Sequence, residues 1–356
     1  MKKFLLISLL AVLVSGLIFS GCAAPAEPEV YTIKFSCQVP EPGWWPQQVG
    51  VPFWNEVEER TNGRLKVENY YGQTLVKAAD EWEAAKSGIT DCGWAVHAYW
   101  AEMTTLADVI MLPFLPAENG RHASRVLVEL FEKYPSMQAQ FKDNKIISLF
   151  TTGEYFIATK DKQVKVMEDM AGLKLRVTGA TTVTALEALG GVPMFMPMPE
   201  TYPNIEKGVL DGMLGCWECY VSFRQYELTP YYTRLPSTTF YMPYFSLAMN
   251  WDTWNSLPKD IQDIILGVWW GVGSSEASGR AWDDAEQPTK DLIAEGGYQY
   301  NEYVLPQDEF ARWMDVAARP IWEKWVADNE AKGFTEAQEI LDTTLELLDK
   351  YRAEYK

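Results

Sequence analysis

The chain has 356 residues, of which 47% are hydrophobic and 22% charged, a composition typical of a globular protein. At roughly 100–200 residues per domain, this length predicts two domains. The 49 acidic residues against 31 Lys and Arg give a net charge of −18, which excludes the basic surface that nucleic acid or anionic lipid requires. Only two histidines are present, so a zinc centre or a His-based catalytic triad is disfavoured.

The first 22 residues have the pattern of a targeting segment. Lys2 and Lys3 precede an apolar run that ends at Phe19, and small residues then lead to Cys22, as in the cleavage sites of bacterial lipoproteins. We therefore expect a lipoprotein signal peptide over 1–21, lipidation of Cys22 and a tether over 22–30. Removing two lysines and no acids changes the net charge from −18 to −20. The alternative is an uncleaved anchor, although the run is shorter than the ~20 residues of a spanning helix.

The first half of the remaining chain alternates predicted strands and helices. Apolar and polar residues alternate over 31–35 as in a strand, and the following helix ends at Thr61-Asn62-Gly63. Further strands are expected over 65–68, 91–96 and 146–150, and further helices over 80–88 and 126–134. This alternation favours a parallel or mixed sheet with helices on both faces.

A second strand–helix series begins near Thr159. Strands are predicted over 173–177 and 245–249, with a helix ending at Leu189 between them, and Pro258 opens a long helical stretch. Apolar residues spaced by three or four predict a helix kinked at Pro320, and the same spacing recurs over 340–348. Two α/β lobes with additional helices are the predicted fold.

Motifs for covalent chemistry are missing from the sequence. It contains no P-loop, GxSxG, HExxH or EF-hand loop. Cys216 and Cys219 form a Cys-x-x-Cys pair, which outside the cytoplasm is a disulfide, two unreactive thiols or a redox pair. Since the flanks lack a thioredoxin-like βαβ pattern, the sequence does not predict an enzyme.

Two features point to ligand binding. Trp44 and Trp45 follow the first strand in a loop rich in Pro and Gly, where ligands of α/β proteins bind, although packing against the next helix explains them as well. Arg176 lies near the end of strand 173–177, on the face opposite its apolar residues, and its planar guanidinium fits a carboxylate. Position alone favours a surface salt bridge for this arginine.

Six segments together resemble one protein family. In order they are 53–65 (FWNEVEERTNGRL), 85–91 (AKSGITD), 111–114 (MLPF), 168–177 (EDMAGLKLRV), 208–212 (GVLDG) and 254–258 (WNSLP). They are similar to the DctP-type extracytoplasmic solute receptors of tripartite ATP-independent periplasmic (TRAP) transporters. The resemblance implies a two-lobed, periplasmic-binding-protein-like α/β fold, with mixed sheets covered by helices and lobes joined by crossing strands and a long helix. Lobe I is expected over 31–151 plus 241–278, and lobe II with the C-terminal helices over 152–240 plus 279–356.

The same resemblance implies a binding site. Arg176 matches the arginine that holds the ligand carboxylate in the family, and the other residues expected at the cleft are Gln38, Trp44, Trp45, Trp94, Trp217 and Tyr241. Many relatives carry a second arginine upstream, whereas the stretch 152–158 has none, which favours a monocarboxylate with an apolar or aromatic body. Glu154 in this stretch is expected to meet a cationic or hydroxylated group, or a metal ion for which Glu218 is a further candidate. No cofactor is expected.

The implied function is capture of a small organic acid between the lobes and its delivery to a TRAP permease with a small and a large membrane subunit. The implied location is extracytoplasmic, in the periplasm or at the cell surface, with membrane attachment through Cys22. The alternatives are a receptor that presents its ligand to a sensor kinase and a cell-surface enzyme. Nucleic acid is not an expected partner.

Overall fold

The computed structural model of the protein describes residues 29–355. The predicted signal peptide, the lipidation site at Cys22 and most of the tether lie outside the described residues. Within the described part of the chain, no helix combines the length and the apolar character needed to cross a bilayer.

Eleven strands occur among residues 29–355. They are β1 (Tyr31–Ser36), β2 (Leu65–Tyr70), β3 (Cys92–Val96), β4 (Lys145–Thr151), β5 (Tyr155–Thr159), β6 (Lys174–Val177), β7 (Val192–Phe195), β8 (Gly212–Cys216), β9 (Tyr231–Arg234), β10 (Tyr244–Met249) and β11 (Asn301–Val304). Strands β3, β5, β8 and β10 are buried along their whole length. Burial on both faces is typical of central strands that are covered by helices on either side.

The α-helices of the described chain cover and connect these strands. They are α1 (Val51–Arg60), α2 (Glu81–Lys86), α3 (Gly120–Lys133), α4 (Pro135–Ala139), α5 (Ala180–Ala188), α6 (Thr201–Glu206), α7 (Trp217–Phe223), α8 (Trp251–Ser256), α9 (Lys259–Trp269), α10 (Val272–Asp283), α11 (Glu286–Glu295), α12 (Gln307–Ala317), α13 (Arg319–Ala331) and α14 (Ala337–Tyr351). Apart from the helix predicted around Pro320, the strands and helices predicted from the sequence are confirmed, with boundary shifts of a few residues.

The strands form two mixed sheets. The first has the order β2-β1-β3-β10-β4, with β1 parallel to β2 and β3, and β10 antiparallel to both of its neighbours. The second has the order β11-β9-β5-β8-β6-β7, with β6 parallel to β7 and β8, and β5 antiparallel to β8 and β9. The predicted α/β architecture with two helix-covered sheets is confirmed.

The chain passes between the sheets through two short segments that lie side by side. Segment 152–154 joins β4 to β5, and segment 235–243 returns from β9 to β10. The backbone N–H of Thr152 donates to the Pro243 carbonyl (2.9 Å), and that of Phe240 donates to the Tyr155 carbonyl (3.1 Å). These bonds hold the two connections together at the base of the space between the sheets.

The last helix packs against a helix of the first sheet. The Tyr134 hydroxyl at the end of α3 bonds to Thr343 Oγ1 of α14 (2.8 Å), and the Arg125 guanidinium lies 3.6 Å from the ring centre of Tyr351. Residues 279–356 were expected in lobe II. This packing joins the C-terminal helix to α3, which lies in the range expected for lobe I. The proposed lobe boundaries remain a prediction.

One helix prediction is wrong in detail at Pro320. Instead of one kinked helix, the chain forms α12 and α13, separated by Ala318 at φ −115° and ψ −76°. Pro320 is the second residue of α13. Proline lacks a backbone N–H and is tolerated in the first turn of a helix, where no intrahelical partner is needed, so it starts a new helix here.

Candidate functional site

An internal cavity lies between the two sheets, beside the carboxyl ends of β1, β3 and β6. The space in it that water-sized molecules can occupy is about 20 Å³, and all its lining residues except Phe223 are buried. The lining residues are Gln38, Val39, Trp94, Val96, Tyr99, Tyr155, Arg176, Thr178, Met198, Glu218, Cys219, Phe223, Pro243, Phe245 and Trp282. Strand ends of an open α/β sheet are where such proteins bind ligands.

Arg176 is the charged group at the centre of this site. It is the third residue of β6 and only 2% exposed, whereas Lys174 on the same face of the strand is exposed. Its Nε donates to the Met196 carbonyl (3.0 Å), and a terminal guanidinium nitrogen is buried without a partner. A guanidinium stays protonated in proteins, so a buried positive charge with a free donor lies in the cavity wall.

Phenol and amide groups surround the arginine. The Tyr99 hydroxyl donates to Gln38 Oε1 (3.0 Å) and accepts the backbone N–H of Met198 (3.0 Å), which links the first sheet to the second. The Tyr241 hydroxyl bonds to Thr178 Oγ1 (2.9 Å), and its ring stands edge-on to that of Tyr155, at 4.7 Å between centres. Burial raises the pKa of Tyr241 to about 12, so this hydroxyl stays neutral at physiological pH.

A cluster of three near-parallel aromatic rings forms an apolar wall of the cavity. Phe245 of β10 lies beside Trp94 and Trp282, with ring centres 4.4 Å and 5.1 Å away and planes within 22° and 9° of parallel, and the two indole centres are 6.4 Å apart. Trp94 comes from β3 and Trp282 from α10, so the wall combines elements distant in the chain. Flat indole and phenyl faces suit the apolar body of an organic ligand.

Glu218 is the only carboxylic acid among the lining residues and is 1% exposed. One carboxylate oxygen accepts a hydrogen bond from Ser222 Oγ (2.5 Å), and the other is buried without a partner. Burial raises the pKa of Glu218 to about 7, although the bond from Ser222 and the nearby Trp45 backbone N–H oppose this shift. This carboxyl group is therefore held in an apolar setting with one oxygen unused by the protein.

The same region contains one group of potential metal ligands. Donor atoms of Cys216, Glu218 and Cys219 lie within 4.8 Å of one another, and all three residues are buried. Both cysteines are free thiols, the Cys219 backbone N–H donates to Cys216 Sγ (3.4 Å), and the Tyr155 hydroxyl lies 3.7 Å from Cys219 Sγ. Because burial raises the pKa of the Cys216 thiol, the protonated form that does not bind metal is favoured. A metal at Glu218 remains an untested prediction.

Several residues expected at the cleft lie in or beside the cavity. Gln38, Trp94, Arg176 and Glu218 line it, and Tyr241 lies directly behind Thr178 and Tyr155. Their contact with a ligand remains a prediction.

The remaining expected residues lie elsewhere. Trp45 is 0% exposed and packs against Trp94, with 5.4 Å between ring centres and the ring planes tilted by 52°. It therefore matches the alternative expectation of core packing. Trp44 faces a separate open groove, and its indole N–H donates to the Ala281 carbonyl (2.6 Å). Trp217 packs in the core of the second sheet, 4.5 Å from the ring of Phe156.

Glu154 also lies outside the cavity. Both of its carboxylate oxygens accept hydrogen bonds from the Arg234 guanidinium, one of them from Nε at 3.0 Å, at the edge of another open groove. Its carboxylate is therefore already paired within the protein, and the expected contact with a ligand or metal has no support in this geometry.

Some lining residues were not anticipated from the sequence. Tyr155 belongs to the stretch 152–158, which lacks the second arginine that many relatives carry. Its position in this stretch was a sequence signal for a place in the cavity wall. Phe245 lies on a strand that the sequence predicted, but the residue pattern of that strand did not indicate which of its sides faces the cavity. Met198 and Trp282 carry no local signal, since only the packing of distant elements brings them to the cavity.

Comparison with known proteins places this geometry in context. A sequence model described as "Bacterial extracellular solute-binding protein, family 7" (DctP) matches residues 35–329. The C4-dicarboxylate-binding periplasmic protein DctP of Rhodobacter capsulatus is 25% identical over 304 residues, which cover 83% of this chain and 86% of that protein.

Solved structures resemble the whole described chain. A TRAP solute-binding protein from Rhodoferax ferrireducens with copurified benzoate superposes with a TM-score of 0.86 and 26% identity, covering 92% of this chain and all of the other. A marine metagenome TRAP solute-binding protein specific for aromatic acid ligands, crystallised with 3-hydroxybenzoate, gives a TM-score of 0.85 and 26% identity, covering 91% and 99% of the two chains. These likenesses confirm the predicted two-lobed fold.

Proposed function

Because this chain belongs to family 7 of the bacterial extracellular solute-binding proteins, the DctP-type receptors recognised in its sequence motifs, we propose that it captures an organic acid between its sheets and delivers it to a TRAP permease. Proteins of this family bind and transport a solute rather than transform it. The proposed ligand is a monocarboxylate with an aromatic body.

The observation that supports this ligand class is the buried, partly unpartnered guanidinium of Arg176. A buried charge without a partner is costly, and a ligand carboxylate supplies both the counter-charge and a hydrogen-bond acceptor. Among the lining residues of the described chain, Arg176 is the only Lys, Arg or His. One cation balances one carboxylate, so a second carboxylate on the ligand would enter the cavity without a counter-charge.

The apolar wall supports the aromatic body. The near-parallel rings of Trp94, Phe245 and Trp282 line the same cavity as the arginine. Benzoate and 3-hydroxybenzoate occur in two structures that resemble this chain, and they combine one carboxylate with one ring.

Calorimetry with benzoate tests the carboxylate contact. Arg176→Ala removes one partner of a desolvated charge pair and should cost about 2–5 kcal/mol, or roughly 30-fold to several-thousand-fold in affinity. Arg176→Lys keeps the charge but loses the planar fork, so its affinity should lie nearer to that of Arg176→Ala than to wild type. Succinate, with two carboxylates, should bind more weakly than benzoate. If folded Arg176→Ala binds within about threefold of wild type, the carboxylate is held elsewhere.

We also propose that the protein is extracytoplasmic and held to the membrane through Cys22. A mature net charge of −20 opposes binding to anionic lipid, so attachment should depend on the lipid alone. Cys22→Ser should leave the protein in the soluble or precursor fraction. Persistence of mature Cys22→Ser protein on membranes after a high-salt wash would contradict the lipid anchor.

A further inference from the structure

Glu218 is a second polar group in the cavity wall, in addition to Arg176. It lies in the first turn of α7, which follows β8, whereas Arg176 belongs to β6, and both side chains line the same enclosed space. Among residues 29–355, no Lys, Arg or His side chain lies within 4.0 Å of the Glu218 carboxylate. The Arg176 guanidinium and the Glu218 carboxyl group are therefore not paired with each other.

The protein satisfies only one oxygen of this carboxylate. Ser222 donates to Oε1 (2.5 Å), while Oε2 is buried and accepts no hydrogen bond from the described residues. Leaving a buried acceptor unpaired costs free energy, more so when the group carries charge. A donor placed in the cavity would remove this cost, and the cavity is the space that remains for it.

In its ionised form, Glu218 also restricts what can lie beside it. A ligand carboxylate next to this side chain would be repelled, so the carboxylate belongs at Arg176 and the remainder of the ligand faces Glu218. A purely apolar ligand would leave Oε2 unpaired in the closed site.

We propose that Glu218 determines ligand specificity by accepting a hydrogen bond from a hydroxyl or amino group that the ligand carries away from its carboxylate. This inference rests on the proposed function, in which Arg176 holds the carboxylate. The preferred ligand is then an aromatic monocarboxylate with a donor on its ring or side chain. An unsubstituted acid should bind more weakly, because a site built around a hydrogen bond discriminates against analogues that lack the donor.

Four acids of similar shape test the proposal by calorimetry. Benzoate and 3-methylbenzoate lack a donor, while 3-hydroxybenzoate and 3-aminobenzoate carry a hydroxyl and an amino group respectively. Wild-type protein should prefer at least one donor-bearing acid over 3-methylbenzoate by about tenfold or more. If 3-hydroxybenzoate binds more tightly than 3-aminobenzoate, the natural donor is a hydroxyl group; the reverse order identifies an amino group.

Substitutions separate recognition from structural support. Glu218→Gln retains an oxygen for Ser222 but offers an NH₂ group at the free position, so the preference for a donor-bearing acid over 3-methylbenzoate should be lost. Ser222→Ala removes the hydroxyl that donates to Glu218 but keeps the Glu218 carboxyl group. The preference for a donor-bearing acid over 3-methylbenzoate should therefore persist in this variant. If Glu218→Gln does not fold, Glu218→Asp, which withdraws the carboxylate by one methylene, should also weaken the preference.

Different results overturn different statements. Equal binding of all four acids by wild type, or a preference that survives in Glu218→Gln, would overturn the role of Glu218 while leaving Arg176-dependent binding intact. A preference abolished by EDTA and restored by a divalent cation would show that Glu218 acts through an ion instead of directly. Failure of wild type to bind any of the acids would overturn the proposed function, and this inference with it.

Discussion

Glu81 is a buried carboxyl that makes the stability of the fold depend on pH. It lies at the start of α2, where Oε1 accepts a hydrogen bond from Ser36 Oγ (2.8 Å) and Oε2 is buried without a partner. Burial raises its pKa from 4.5 to about 8, although the bond from Ser36 opposes the shift. Between these values the folded protein keeps a proton that the unfolded chain releases, so this group makes the unfolding free energy fall as pH rises.

Glu81→Gln should remove this pH dependence. The amide mimics the protonated acid, so the variant and wild type should have similar stability near pH 5, and the variant should be the more stable at pH 8. The difference should grow by up to about 1.4 kcal/mol per pH unit. Urea denaturation from pH 5 to pH 8 measures it, with Glu83→Gln on the exposed face of α2 as the matched control. Parallel curves for wild type and Glu81→Gln would contradict the assignment.

At the scale of elements, the crossing of α3 and α10 depends on a close approach of their backbones. A Cβ atom at Gly279 of α10 would lie 2.4 Å from the Gly120 carbonyl oxygen and 2.5 Å from Ser124 Oγ. Ser275 Oγ of the same helix donates to the Ser124 carbonyl (3.1 Å). Because α10 also carries Trp282, this contact positions one ring of the cavity wall.

Two glycine substitutions in α10 should have opposite consequences. Gly279→Ala forces the helices apart and should destabilise the protein by about 1–3 kcal/mol. It should also weaken benzoate binding, since Trp282 is displaced. Gly273→Ala, with no atom within 4 Å of its added Cβ, should be neutral or stabilising by up to about 1 kcal/mol. Denaturation measures the stability of both variants, and calorimetry measures their affinity for benzoate. Equal effects of Gly279→Ala and Gly273→Ala would contradict the close backbone contact at Gly279.

At the scale of the whole molecule, direct hydrogen bonds connect the two sheets across the cavity. The Tyr99 hydroxyl accepts the Met198 backbone N–H (3.0 Å), and the Gly179 backbone N–H donates to the Ala98 carbonyl (3.0 Å). The structure is therefore a closed form whose cavity has no wide entrance. Ligand exchange requires these contacts to open, with the paired segments 152–154 and 235–243 as the connections about which the lobes can move.

Closure on the ligand should be measurable in solution. A ligand that touches both lobes binds the closed form more tightly and shifts the population towards it. Small-angle scattering should therefore give a smaller radius of gyration with saturating benzoate than without ligand. An unchanged profile at saturation would contradict a moving cleft.

Removing a bond that connects the lobes should reduce affinity. Tyr99→Phe deletes the acceptor of the Met198 N–H, which should cost about 1–1.5 kcal/mol in the closed state, or roughly 5- to 13-fold in benzoate affinity. Tyr134→Phe deletes a buried hydroxyl that bonds Thr343 away from the cavity, so it should change stability but not affinity. Equal affinities of wild type and Tyr99→Phe would argue against a closed form held by this bond.

The sequence by itself determined the alternation of strands and helices, the family, and the position of Arg176 at the end of a strand. These features depend on the periodicity of apolar residues and on the order of short motifs, both of which are local. The neighbours of Arg176 in space were not determined in this way.

Only the tertiary structure decided which side chains meet at the cavity. Trp45 lies behind Trp94 instead of beside the ligand space, and Glu154 is paired with Arg234, which follows it by 80 residues. Trp282 reaches the wall from a helix near the far end of the chain. The physical reason is that a side chain's exposure and partners depend on elements that pack against it from distant parts of the chain, and local periodicity carries no record of them.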